Sequence, residues 1–96
     1  MAETKEQFIK QVKTKTIALG EFLNSDSFSE AYEVALELSH LFKSEDMKDF
    51  TGRELEESGL SAIQEELKKY WYFNKQMRSA QGALRKKGDK FLDYVG

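Results

Sequence analysis

Apolar positions along this chain recur at steps of three and four, the spacing that lines one face of an α-helix. The first such stretch runs from about Lys5 to Leu23. Phe8, Val12, Leu19, Phe22 and Leu23 fall near a helical period, with Ile9 beside them, and Lys13-Thr14-Lys15-Thr16 interrupts the stripe. Thr4 and Gln7 have capping-box spacing, in which each side chain satisfies an orphan backbone N–H at the helix start. Asn24-Ser25-Asp26 then reads as a turn. The second stretch carries Phe28, Ala31, Tyr32, Ala35, Leu38 and Phe42 on one stripe, widened by Val34, Leu36 and Leu41. Ser27 and Glu30 repeat the capping-box spacing. Only a narrow stripe of Glu30, Glu33, Glu37 and His40 is polar, which predicts a helix covered from more than one side at the centre of a bundle.

Residues 44–58 hold Met47 and Phe50 among acids, enough for a short helical turn, and Thr51 with Glu54 again has capping-box spacing. Gly59 interrupts or kinks the next helix. From Leu60 the pattern is regular: Leu60, Ile63, Leu67, Tyr70, Asn74, Met77, Gln81 and Leu84 form a heptad seam with two polar positions. It predicts one helix from Leu60 to Lys87, roughly 42 Å long at about 1.5 Å per residue. Gly88 reads as its C-terminal cap, and Phe91, Leu92, Tyr94 and Val95 as a last turn folding back. The two earlier helices are too short to cover such a rod. Its far end must protrude, pair with a second copy or meet a partner, unless Gly82 splits it. The small residues of Ser79-Ala80-Gln81-Gly82-Ala83 would admit a close helix, so a homodimer through this element is one expectation, with Asn74 or Gln81 setting register.

Length and composition agree with that reading. The chain has 96 residues, 40% hydrophobic and 33% charged, with no proline, which suits one helical domain spanning 1–96 and excludes repeat arrays. The fold class is all-α: a small helical bundle with two shorter helices packed on a long C-terminal helix. The expected core is Phe8, Val12, Leu19, Phe22, Tyr32, Ala35, Leu38, Phe42, Leu60, Ile63, Leu67 and Tyr70.

Several chemistries are excluded. Without cysteine there is no disulfide framework, no zinc–thiolate site and no thiol nucleophile, and a small unstapled domain suits a reducing, cytoplasmic setting. Met1 to Glu6 is charged and lacks a signal peptide's apolar stretch, and no apolar run approaches a membrane span. His40 is the single histidine and has no glycine-framed serine to serve. The glycines form no phosphate-cradling loop. In Asp46-Met47-Lys48-Asp49-Phe50-Thr51-Gly52 a lysine occupies a ligand position of a calcium loop. Glu56-Glu57 and Glu65-Glu66 point in different helical directions and make poor paired carboxylates. No catalytic residue, metal or cofactor is therefore expected, and the chain does not read as an enzyme.

Charge and aromaticity change the picture more. Residues 1–25 carry a net charge of +1, residues 26–66 carry −9 and residues 67–96 carry +6. Such segregation calls for an electrostatic partner, inside the chain or outside it. In Lys68-Lys69-Tyr70-Trp71-Tyr72-Phe73-Asn74-Lys75, four consecutive aromatics point about 100° apart on a helix and cannot share one core. Tyr70 belongs to the seam, Trp71 and Phe73 suit its flanks, and Tyr72 points away. Arg85-Lys86-Lys87 adds a basic cluster, with Lys90 nearby. The expected partner-binding residues are Trp71, Tyr72, Lys75, Arg78, Arg85 and Lys86. The functional expectation is a non-enzymatic protein-binding module, a small regulator, inhibitor or assembly adaptor, since Trp, Tyr and Arg anchor protein interfaces. The second reading is nucleic-acid binding by the same segment, with aromatics stacking bases and cations on phosphates. No membrane partner is expected.

Overall fold

The computed structural model describes residues 4–75 and 77–95, with the side chains of 77–81 and 95 outside the described set. Among the described residues five α-helices occur in order: α1 Lys5–Asn24, α2 Phe28–Phe42, α3 Gly52–Ser58, α4 Leu60–Asn74 and α5 Met77–Val95. A 3-10 turn at Glu45–Asp49 joins α2 to α3. Among the described residues there is no strand, so the all-α class holds.

The helix boundaries arise from local chemistry. The Thr4 hydroxyl accepts the Gln7 amide at 3.1 Å while the Gln7 side chain accepts the Thr4 amide at 3.2 Å, closing the expected capping box. Thr51 and Glu54 close a second one. The box expected at Ser27 is not made. Ser27 lies against the Ser25 hydroxyl instead (3.2 Å), because the chain leaves α1 through Asp26 at φ +60°, a left-handed conformation that Asp tolerates. Gly59 sits at φ +85°, ends α3 and admits α4 at an angle no β-carbon would favour.

The long helix expected over 60–87 is two helices, and this is the main correction to the architecture. The break falls after Asn74, whereas Gly82 lies inside α5. α5 runs back antiparallel along α4, since Glu66 meets both Lys87 and Tyr94 while Phe73 meets Lys87. It also packs against α1, with Gly88 and Leu92 lying at Gly20. The reversal places Leu84 and Phe91 at 1% and 0% exposure. A straight rod would carry both past the first two helices into water, forfeiting about 1.5–3 kcal/mol for each. Gly88 is accordingly a buried residue within α5 rather than a cap, and α5 continues to Val95. The inference from a protruding end to a homodimer loses its premise.

The centre of the bundle also moves. α1 packs against α2, α4, α5 and the 3-10 turn, so α1 is the central helix and α2 a flanking one. Tyr32 and Leu36 on α2 are 42% and 38% exposed, which corrects the placing of Tyr32 in the core. Phe22 is half-buried at the margin, and the other ten expected core residues are buried. Leu23, Ala31, Leu84 and Phe91 join them. At the α1–α5 crossing two glycines face each other. A β-carbon on Gly88 would stand 2.7 Å from the Gly20 carbonyl oxygen, and one on Gly20 would stand 2.9 Å from that of Gly88. Nothing larger than glycine lets α1 and α5 approach so closely. The Cα radius of gyration, 13.2 Å, is near the roughly 12.5 Å expected of a folded chain of this length.

Candidate functional site

The four consecutive aromatics divide as helix geometry requires. Tyr70 is buried in the core, and its burial pushes the phenol pKa up to about 12, with the Tyr32 hydroxyl adding to the shift. Trp71 turns toward α2. Its indole N–H donates to the Ser39 hydroxyl at 2.9 Å, and its ring packs edgewise with Tyr32 and Tyr70, at centroid distances of 5.4 and 5.2 Å. It is half-buried and fixed on three sides. Phe73 turns toward α5, where the Lys87 ammonium lies 5.6 Å from its ring centre. Tyr72 is 61% exposed and meets Phe73 edgewise.

Lys87 has a second role that the sequence concealed. It ion-pairs at 2.9 Å with Glu66, a carboxylate on α4 only 3% exposed. Tyr94 donates its hydroxyl to the other oxygen at 3.3 Å, and Lys69 stands 3.6 Å away. Desolvation pushes the Glu66 carboxyl up, but the hydrogen bond and charge of Lys87, with help from Lys69, outweigh it and hold the group below its ordinary range. This part-buried pair clamps α4 to α5.

The remaining expected residues lie in different surroundings. Arg85 forms a bidentate pair with Asp26, Nε to Oδ1 at 3.1 Å and Nη2 to Oδ2 at 2.6 Å, so its guanidinium is engaged within the chain. That hydrogen bonding holds Arg85 above its ordinary range. Lys75 and Lys86 are exposed, and among the described residues neither forms an ion pair. The Arg78 side chain lies outside the described residues. Lys86 joins Phe73, Ala83, Lys87 and Lys90 around a shallow groove of about 220 Å³ between α4 and α5. Phe73, Lys86 and Lys90 thus share this groove, and Tyr72 meets its Phe73 ring edgewise. Trp71 and Arg85 are turned elsewhere.

Much of the charge segregation is satisfied internally. Lys5 reaches Glu54, Lys15 reaches Glu37, Arg85 reaches Asp26 and Lys87 reaches Glu66, each joining a basic segment to the acidic one. A groove that sequence reasoning missed lies between α2 and α4, walled by Phe42, Leu67 and Trp71. Only the juxtaposition of two distant helices creates it, so no local pattern could have shown it. Among the described residues no three His, Cys, Asp or Glu side chains converge as metal ligands, and no helix is long and apolar enough to cross a membrane. No family model, curated protein or solved structure matches the chain.

Proposed function

We propose that this chain is a non-enzymatic protein-binding module, a small regulator, inhibitor or assembly adaptor, that receives its partner on the aromatic-basic side formed by α4 and α5. One observation carries the reading: Tyr72 is 61% exposed, the most exposed large hydrophobic side chain among the described residues, and it meets Phe73, which lines a groove with Lys86 and Lys90. Neither lysine forms an ion pair among the described residues. An amphipathic ring in water, joined through Phe73 to a groove lined by such lysines, supplies an anchor and a polar rim. The absence of cysteine suits work in a reducing compartment such as the cytoplasm. The same ring and cations suit a single-stranded nucleic acid, which is the second reading.

A photo-crosslinking residue at position 72, with one at exposed position 21 as reference, separates the two in extract from the source cells. We expect a discrete protein adduct from position 72 alone, lost when Lys86→Glu and Lys90→Glu are combined. An adduct removed by nuclease transfers the face to nucleic acid. Equal adducts from both positions, or none, would sink the proposal.

A further inference from the structure

The groove between α2 and α4 carries an inference beyond the α4–α5 face and rests on different residues. Phe42 and Leu67, 8% and 4% exposed, form its floor, and half-buried Trp71 forms one wall. Trp71 is held there by its hydrogen bond to Ser39 and by the rings of Tyr32 and Tyr70, so the wall is set before anything binds. Two exposed lysines, Lys43 from the end of α2 and Lys68 from α4, also line it, together with the polar Ser39 and Gln64. Lys43 has no ion pair among the described residues, and Lys68 meets only an exposed carboxylate, Glu65, at 3.5 Å. The groove therefore has an apolar floor between two cationic rims.

Its size narrows the occupant. At about 200 Å³ it is smaller than the roughly 300–1,000 Å³ typical of cofactor and small-molecule sites. One leucine-sized side chain suits it better. The flanking ammonium groups favour carboxylates on either side of that side chain and disfavour a basic segment. We propose that this groove is a docking site for an acidic peptide segment of a partner protein, which inserts one aliphatic side chain against Trp71, Phe42 and Leu67 and pairs its flanking carboxylates with Lys43 and Lys68. The hydrophobic contact provides the anchor, and the lysines provide selection and faster encounter.

Trp71 is the single tryptophan and reports on the groove directly. Its fluorescence is followed while the whole protein is titrated with a short synthetic peptide bearing one leucine among glutamates. The peptide is compared with a serine-for-leucine version, a lysine-for-glutamate version and a single-stranded oligonucleotide. We expect a saturable spectral shift with the first peptide alone. Combined Lys43→Glu and Lys68→Glu should weaken it about tenfold or more, while circular dichroism shows the helices retained. Tyr72→Ala should leave it unchanged, so the groove and the α4–α5 face can fail separately. The proposal is overturned by no saturation up to about 2 mM peptide. It is equally overturned by an equal response to the serine version, or by a matching response to the oligonucleotide, which would mean a general polyanion effect.

Discussion

The Gly20–Gly88 crossing gives the sharpest test of the fold, because adding one methyl group to Gly88 sets two known effects against each other. Alanine in a helix interior is favoured over glycine by about 1 kcal/mol. At Gly88 that gain meets a wall: the new carbon would lie 2.7 Å from the Gly20 carbonyl oxygen, 2.8 Å from the Asn24 side-chain oxygen and 3.0 Å from Leu23 Cβ. The first of these is backbone and cannot rotate away, so α1 and α5 must separate by several tenths of an ångström. Overpacking of this kind costs about 1–3 kcal/mol. Gly88→Ala should therefore be destabilised by about 1 kcal/mol net, and by up to about 2 if α5 lifts off Leu23. Gly82 is the internal control. It lies in the same helix with nothing within 4 Å of the position its β-carbon would take. Gly82→Ala should gain about 0.5–1 kcal/mol. Urea unfolding monitored by circular dichroism compares the two, and in a heating experiment the variants should straddle the parent by several degrees on each side, at about 4–8 °C per kcal/mol. If Gly88→Ala proves as stable as Gly82→Ala, α1 and α5 do not meet through these glycines and the position of the last helix is wrong.

Three further outcomes concern buried and half-buried groups. Glu66 has a folded-state affinity for protons below its ordinary value, so its pairing with Lys87 stabilises the protein above the carboxylate range, and that contribution is lost as pH falls through the folded value. Glu66→Gln should cost about 2–3 kcal/mol at neutral pH and flatten the acid limb of a urea-midpoint-against-pH curve; an unchanged limb would place the acid sensitivity elsewhere. Tyr70 behaves in the opposite sense: its folded value is raised to about 12, so stability holds up to about pH 10 and declines between there and pH 12, by about 2–3 kcal/mol. Tyr70→Phe should remove that increment, and since the lysines titrate alike in both proteins, the difference between their urea midpoints isolates it. Trp71→Ala should lose about 2–4 kcal/mol, because a half-buried ring and a hydrogen bond to Ser39 go together; a neutral result in urea unfolding would mean the indole is free of α2.

What the sequence disclosed, it disclosed where the physics is local. Two of three capping boxes, the turn at Asn24 to Asp26 and the splitting of the four aromatics all depend on residues a few positions apart. The failures share a different cause. The heptad seam from Leu60 to Leu84 is the same whether the helix runs straight or turns back at Asn74, because a hairpin of two amphipathic helices preserves the period on each arm. Thr16 looked like a gap in the stripe of α1, yet it is fully buried; its hydroxyl donates to the Val12 carbonyl at 2.7 Å and needs no water. Glu66 drew notice only as half of a poor carboxylate pair with Glu65, because its partner Lys87 comes from 21 residues away. Tyr32 looked like core because it shares a stripe with Ala35 and Leu38, but it lies at an open edge of α2.

The charge pattern shows why a large asymmetry in sequence can be modest in energy and still matter for binding. Lys5–Glu54, Lys15–Glu37 and Arg85–Asp26 cross between the segregated segments at the surface, where such pairs contribute about 0–1 kcal/mol each. Their effect on the fold is small, but they change which cations stay open: they engage Lys5, Lys15 and Arg85 and leave Lys10, Lys13, Lys43, Lys75, Lys86 and Lys90 without ion pairs among the described residues. Four of them, Lys43, Lys75, Lys86 and Lys90, fall on or beside the elements that carry Trp71, Tyr72 and Phe73. Attraction by such exposed charges reaches about 8–10 Å at ordinary ionic strength and is screened beyond it. Added salt should therefore slow association at either surface, while the dissociation rate, governed by the apolar contacts around Trp71 or Tyr72, should change far less. A partner whose dissociation rate rises as steeply with salt as its association rate falls would be held by charge alone, and the aromatic anchors would have no part in it.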